Sequence, residues 1–272
     1  NELIMATYRE IHGKAIKSLS TDPSNADDAG QIWYNTASDT FKSIISSTAW
    51  ASASPRINTL NASAGFGSQT SAVSAGGTSS STTSEEYNGS GWSVGGTLNT
   101  GRFYVAGAGA GVPSGRVFGG RTAPTSQSVL NEAYDGTTWS EEGDLTTGRT
   151  CSGLGTKAAA LAFGGSTGPG PSGGSNQNLS EEWNGTGWAS ATSNPNPWAF
   201  IATCGTQTAA VAACGTLNGT TYQSGSTLWN GTAWTSNTAL PTISEAFNQF
   251  GTQTASIGFG GGTPSGYPSA AF

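Results

Sequence analysis

The side chains able to do chemistry are few, and their spacing decides what they could do. One histidine, His12, stands in 272 residues. A Ser-His-Asp relay needs a histidine to carry the proton, and a multi-histidine metal centre needs several. His12 lies near the N-terminus, outside the repeated part of the chain, so both chemistries are excluded. Carboxylates come next. Glu85-Glu86 and Glu181-Glu182 are pairs, and Glu132 holds the corresponding place in a third phrase. Hydrolysis by two carboxyl groups requires one asymmetric couple at a fixed separation. These acids recur at intervals instead, and read as solvated charges on edge strands that block sheet-to-sheet association. A ring of carboxylates binding cations fails in the fourth phrase, which has Thr227 and Leu228. Arg102 and Arg149 also hold equivalent positions, which points to structure. The expectation is no catalytic residue, no metal and no cofactor.

Cys151, Cys204 and Cys214 are too few and too unevenly spaced for a disulfide framework. If "GTQT" turns between two neighbouring strands, Cys204 faces a residue near 209 and not Cys214. The three read as small buried hydrophobes. Several Asn-x-Ser/Thr triplets, at Asn88, Asn184 and Asn230, coincide with turn signals, so turn geometry explains them without glycans.

These residues are positioned by a repeat. "TSEEYNGSGW", "LNEAYDGTTW", "LSEEWNGTGW" and "GSTLWNGTAW" end at Trp92, Trp139, Trp188 and Trp234, with spacings of 47, 49 and 46 residues. Gly-Gly pairs run in step, beginning at Gly76, Gly119, Gly164 and Gly260, with Cys214-Gly215 in the fourth slot. Runs such as "GTQTAAVAACG" precede them. The chain thus holds five copies of a unit of about 46 residues. Within each, a run of small apolar residues suits an inner strand where backbones crowd. Gly-Gly ends that strand where no side chain fits or φ must be positive. Asn-Gly between aromatic residues predicts a two-residue type I′ hairpin, with each Trp packing between units. Four strands per unit predict an all-β fold, a five-bladed β-propeller.

Composition bounds the rest. Charged residues are only 10% and the net charge is −6. With no Lys/Arg cluster there is no footprint for nucleic acid or an anionic membrane. No apolar run approaches the ~18 residues of a spanning helix. "NELIMATYREI" lacks the plan of a signal peptide. Such polar, weakly charged chains are often disordered. Nine Trp, seven Tyr and ten Phe at regular spacing argue against that here.

A Gly-Gly, an aromatic residue and a Trp five residues after it resemble the kelch pattern. "LNTGR" after Trp92 and "LTTGR" after Trp139 resemble the kelch segment leading into the next blade. The resemblance covers roughly residues 50 to 265. "TYREIHGKAIKSLSTDP" followed by "GQIWYNTASDTFK" is similar to the start of kelch-like virion proteins of tailed phages, particularly those of cyanobacteria and marine bacteria. That resemblance implies a virion structural protein of the tail-fibre or receptor-binding type, exposed outside the cell after release. A capsid or tail decoration protein and a stand-alone five-bladed lectin are the competing classes. "YDGTTW" at 134–139 approaches the Asp-box turn of sialidases, but is off by one residue, and the other copies carry Asn. An enzyme is not expected.

Three placements follow. Residues 1–29 form an arm that pairs with other virion proteins or with a second copy. Residues 30–272 form the propeller. The fifth unit stops shortly after Gly261, and "QIWYNTASDTF" with Trp50 precedes the first unit, so residues 31–55 are expected to supply its missing outer strands and close the ring. Finally, the segments after each Gly-Gly vary most in length, the third being longest. Variable loops on a rigid scaffold commonly carry binding. Ser175, Asn176 and Gln177 of that loop, with Tyr222 and Tyr267 nearby, are the candidate host-glycan site, offering aromatic faces beside amides.

Overall fold

Small residues alternating with aromatic ones produce strands throughout the chain. The computed structural model describes residues 17–21, 32–43, 52–168, 175–218, 221–242, 244–245 and 248–266. Among them every regular element is a β-strand, so the fold is all-β. The chain divides into two units, residues 1–52 and 53–272.

In the first unit β1 (Lys17–Leu19) lies parallel to β2 (Ile32–Asn35), and β2 is antiparallel to β3 (Thr40–Ser43). β2 is therefore the central strand. Its turn is set by Asn35, whose Oδ1 accepts from the N–H groups of Ala37 (2.9 Å) and Ser38 (3.0 Å). Tyr34 and Phe41 face each other across the hairpin, ring centroids 5.2 Å apart. The hairpin expected to belong with the repeats thus falls in the first unit. His12 and Trp50 lie outside the described residues.

Among its described residues the second unit contains four antiparallel four-stranded meanders and two two-stranded hairpins. The first sheet is β4 (Ala64–Ser68), β5 (Ser71–Ala75), β6 (Ser84–Tyr87) and β7 (Trp92–Val94). The second is β8 (Ala106–Gly111), β9 (Ser114–Phe118), β12 (Asn131–Tyr134) and β13 (Trp139–Glu142), with a small hairpin of β10 (Arg121–Ala123) and β11 (Ser126–Gln127) between its second and third strands. The third is β14 (Thr150–Gly155), β15 (Ala160–Ser166), β16 (Ser180–Trp183) and β17 (Trp188–Ala191). The fourth is β18 (Ala202–Thr206), β19 (Ala209–Leu217), β20 (Thr221–Trp229) and β21 (Trp234–Asn237). The fifth has two strands, β22 (Asn248–Gly251) and β23 (Ser256–Phe259). Each sheet's first strand packs on the next, in the order β4, β8, β14, β18, β22.

The core lies between sheets. Phe118 of the second sheet meets Trp188 of the third at 4.6 Å, and Phe163 of the third meets Trp234 of the fourth at 4.8 Å. Burying one such ring contributes roughly 1.5–3 kcal/mol. Indole nitrogens join the first sheet to the second and the third to the fourth, Trp139 Nε1 donating to Ser84 Oγ (3.2 Å) and Trp234 Nε1 to Ser180 Oγ (3.0 Å). The Gln of "GTQT" does likewise. Gln207 Nε2 donates to the carbonyls of Ala160 (3.0 Å) and Trp183 (2.7 Å), and Gln253 Nε2 to those of Ala210 (3.0 Å) and Trp229 (2.6 Å).

Both reasons for the Gly-Gly pairs hold. Gly164 and Gly165 have φ of +62° and +94°, and a Cβ on Gly165 would overlap the Thr150 carbonyl oxygen. The outer hairpins differ from the expected type I′ turn. Tyr87 pairs with Trp92 across four intervening residues, and only the glycine of Asn-Gly has positive φ. Asn88 Oδ1 accepts from the N–H groups of Ser90 and Gly91, both at 3.0 Å, and Asp135, Asn184 and Asn230 repeat this. The side chain supplies the acceptor that a tighter backbone turn would otherwise supply.

The repeated glutamates are not solvated edge charges. Glu85, Glu132 and Glu181 are at most 1% exposed. Each takes hydrogen bonds from the segment leading into its own sheet. Arg102 Nη2 donates to Glu132 Oε1 (2.8 Å) and Asn99 N to Oε2 (2.7 Å). Arg149 pairs with Glu181, and Arg56 with Glu85 at 3.3 Å. Asn194 and Thr227 replace the ion pair in the fourth sheet, 2.9 Å apart. A buried carboxylate demands such partners, since a lone buried charge is costly. The pairs are struts that fix how each linker enters its sheet.

Cys204 faces Val211 across β18–β19, and all three cysteines are free. Burial pushes the Cys151 and Cys214 thiols up to about 11, so they stay protonated. They pack as small hydrophobes, as their spacing suggested.

Candidate ligand-binding surface

The second strands β5, β9 and β23 end just before their Gly-Gly positions, whereas β15 and β19 run through theirs to Ser166 and Leu217, and the variable segments follow. The third segment begins at Ser166, pinned by the small hairpin of the second sheet. Gly168 O accepts from Arg121 Nη2 (2.8 Å) and Gln127 Nε2 (2.7 Å). Its far end is pinned to the fourth sheet, where Asn176 Nδ2 donates to Thr216 O (2.7 Å). Thr216 is the cross-strand partner of Tyr222 and bridges to Ala199. Asn176 and half-buried Tyr222 are thereby brought to one place. Gln177 is not presented with them, because its Nε2 bonds Ser175 O (2.7 Å) and Thr167 Oγ1 (3.3 Å) of its own loop. Ser175 is exposed, its carbonyl accepting from Thr167 N. Residues 169–174 and Tyr267 lie outside the described residues.

Beside Ala199 stands a feature that sequence reasoning missed. Two residues before β4, β8 and β18, the chain adopts φ of +56° at Ala62, +51° at Tyr104 and +55° at Phe200. A left-handed conformation at a bulky residue costs on the order of 1–3 kcal/mol and persists only where surroundings enforce it. Here it brings rings from two sheets together. Tyr104 and Phe200 meet edge to face at 5.8 Å, and Phe103 packs on Tyr104 at 5.4 Å. All three rings are half-buried. Arg121 lies 5.8 Å from the Tyr104 ring centre, and burial lowers its guanidinium pKa. Thr216 Oγ1 is buried without a hydrogen-bond partner among the described residues. The signal was present in "GRFYV" and "WAFIA", where the first and third copies carry Ala62 and Cys151.

The surface therefore joins half-exposed aromatic faces to an amide, a hydroxyl and a buried cation. It suits a polar ligand with an apolar face. Among the described residues no group of three or more His, Cys, Asp or Glu could hold a metal ion. No protein-family model matches the chain, and no curated protein matches it.

Proposed function

We propose that this chain is a phage virion structural protein whose kelch-like, five-bladed β-propeller attaches the particle to a host surface glycan. The observation that carries the reading is the Tyr104–Phe200 cluster, where strained aromatic residues of two sheets converge beside Asn176 and Tyr222 at the end bearing the variable loops. Aromatic faces beside amide groups suit sugar rings, and many copies on a particle would convert weak sites into useful avidity. The N-terminal arm, residues 1–29, joins the other virion proteins, and residues 31–55 complete the fifth blade. Two features support that completion. Ile257 is 51% exposed, whereas its counterparts Val73, Leu161 and Val211 are at most 5% exposed. The β2–β3 hairpin carries a facing aromatic pair and an Asn-capped turn, and the outer half of every complete sheet carries an aromatic pair with a turn capped by Asn or Asp.

The test is adsorption. Particles carrying Tyr104→Ala, Phe200→Ala and Tyr222→Ala together should assemble normally and lose host adsorption by at least tenfold. Undiminished adsorption by such particles would favour a purely decorative role on capsid or tail.

A further inference from the structure

The opposite ends of the strands hold a different irregularity. At one equivalent place in the second strand, two residues before the last residue ahead of the Gly-Gly slot, four sheets have an apolar residue, Val73, Leu161, Val211 or Ile257. The second sheet places Arg116 there, 2% exposed. The neighbouring turn is altered too. Gln207 and Gln253 each close a seam with two carbonyl bonds, but the third sheet has Lys157, whose Nζ donates to Tyr134 O at 2.8 Å. Two cations thus meet at one seam, between the second and third sheets.

The seam is left open as a groove of about 330 Å³, lined by Ser114, Arg116, Glu142, Thr156, Lys157 and Trp183 among others. That is near the lower bound of small-molecule sites. Arg116 is held rigidly. Its Cζ lies 3.8 Å from the centre of the Trp183 ring, and it donates from Nε to Lys157 O (2.7 Å), from Nη1 to Asn131 Oδ1 (3.2 Å) and from Nη2 to Glu142 Oε2 (3.1 Å). A guanidinium has five N–H donors, so donors remain. Asp135, also near Lys157, is occupied by Thr137 and Thr138 of its own turn. Among the described residues lining the groove, Glu142 is the anion, its side chain 33% exposed and 3.1 Å from Arg116.

We propose that this groove binds a small carboxylated saccharide, its carboxylate on Arg116 and Lys157 and its hydroxyls on Ser114, Thr156 and the rim. A guanidinium matches carboxylate geometry, and Arg116, whose equivalents in the other sheets are apolar, keeps unused donors at the groove. The groove lies at the opposite end of the strands from the aromatic surface, so the proposal stands apart from host attachment there.

Calorimetric titration of the full chain with glucuronate, glucose and acetate tests it. Glucuronate should bind saturably, at least tenfold tighter than glucose or acetate. Arg116→Leu with Lys157→Gln restores the residues of the other sheets, and should keep the melting temperature while weakening glucuronate at least tenfold. Glu142→Gln removes the competing anion, and should tighten glucuronate several-fold. Absent glucuronate binding, equal binding of acetate or glucose, or weaker binding by Glu142→Gln would each overturn the proposal.

Discussion

Gly165 shows how one backbone angle constrains this chain. Its φ is +94° and a Cβ there would strike the Thr150 carbonyl. Gly165→Ala should therefore lower stability by about 3 kcal/mol, combining strain with the displacement of a strand. A loss below about 0.5 kcal/mol in urea unfolding would contradict the packing described. Cys214 is the instructive contrast. It takes φ of +59° in the slot that Gly164 fills in the third sheet, but packs with Ala202, Ala213 and Leu240, which give its side chain room. Glu85 makes a prediction about pH. Burial pushes its carboxyl up, but hydrogen bonds from the Asn58 side chain and backbone and from Arg56 outweigh that, and its pKa falls below the usual 4.5. A depressed carboxyl stabilises the fold above its unfolded pKa and loses that contribution as pH falls through the folded one. The stability gap between wild type and Glu85→Gln should thus be constant above the usual 4.5 and close below it. A gap unchanged in strong acid would refute this.

At the scale of elements, the Arg–Glu struts decide how one sheet leads into the next. Arg149 is fully buried, donating to Glu181 and, from Nε, to Gly164 O at 3.2 Å. Arg149→Met leaves Glu181 charged and buried, and should cost about 3–5 kcal/mol. The double variant with Glu181→Leu should recover much of this loss, because no unpaired charge remains. Equal destabilisation of single and double variants in urea would show that packing, not charge, is what Arg149 supplies. The turns are a milder case. Asn184 Oδ1 satisfies two backbone donors at 3.0 Å. Asn184→Ala should cost about 1 kcal/mol, measurable as a lowered melting temperature. Asn184→Asp should be close to neutral, as Asp135 already performs the role in the second sheet.

For the whole molecule, the question is the fifth sheet. Among the described residues it has two strands where the four complete sheets have four, and Phe250 and Ile257 on it are 59% and 51% exposed. Exposed strand edges and apolar faces invite association. If residues 31–55 complete this sheet, a fragment of residues 31–272 should melt cooperatively as a monomer. A fragment of residues 58–272 should melt lower and associate. Identical melting of the two fragments, by calorimetry with light scattering, would refute completion by the N-terminal hairpin.

The repeat, the all-β class, the Gly-Gly positions and the packing of Trp between sheets were legible in the sequence, because each rests on a local rule applied four or five times over. Period fixes unit length, backbone sterics fix glycine, and aromatic size fixes what must be covered. Burial of Glu85, Glu132 and Glu181 was not legible, since a strand's outward and inward faces look alike until a distant Arg is known to lie beneath it. Asn-Gly suggested a two-residue turn, but the Asn side chain took over the backbone's acceptor role, a choice set by three-dimensional register. The Tyr104–Phe200 contact joins residues 96 positions apart, and Arg116 meets Lys157 only because two sheets adjoin. Sequence by itself determined what repeats. Tertiary structure alone decided which departures from the repeat meet one another, because contacts between sheets leave no periodic trace along the chain.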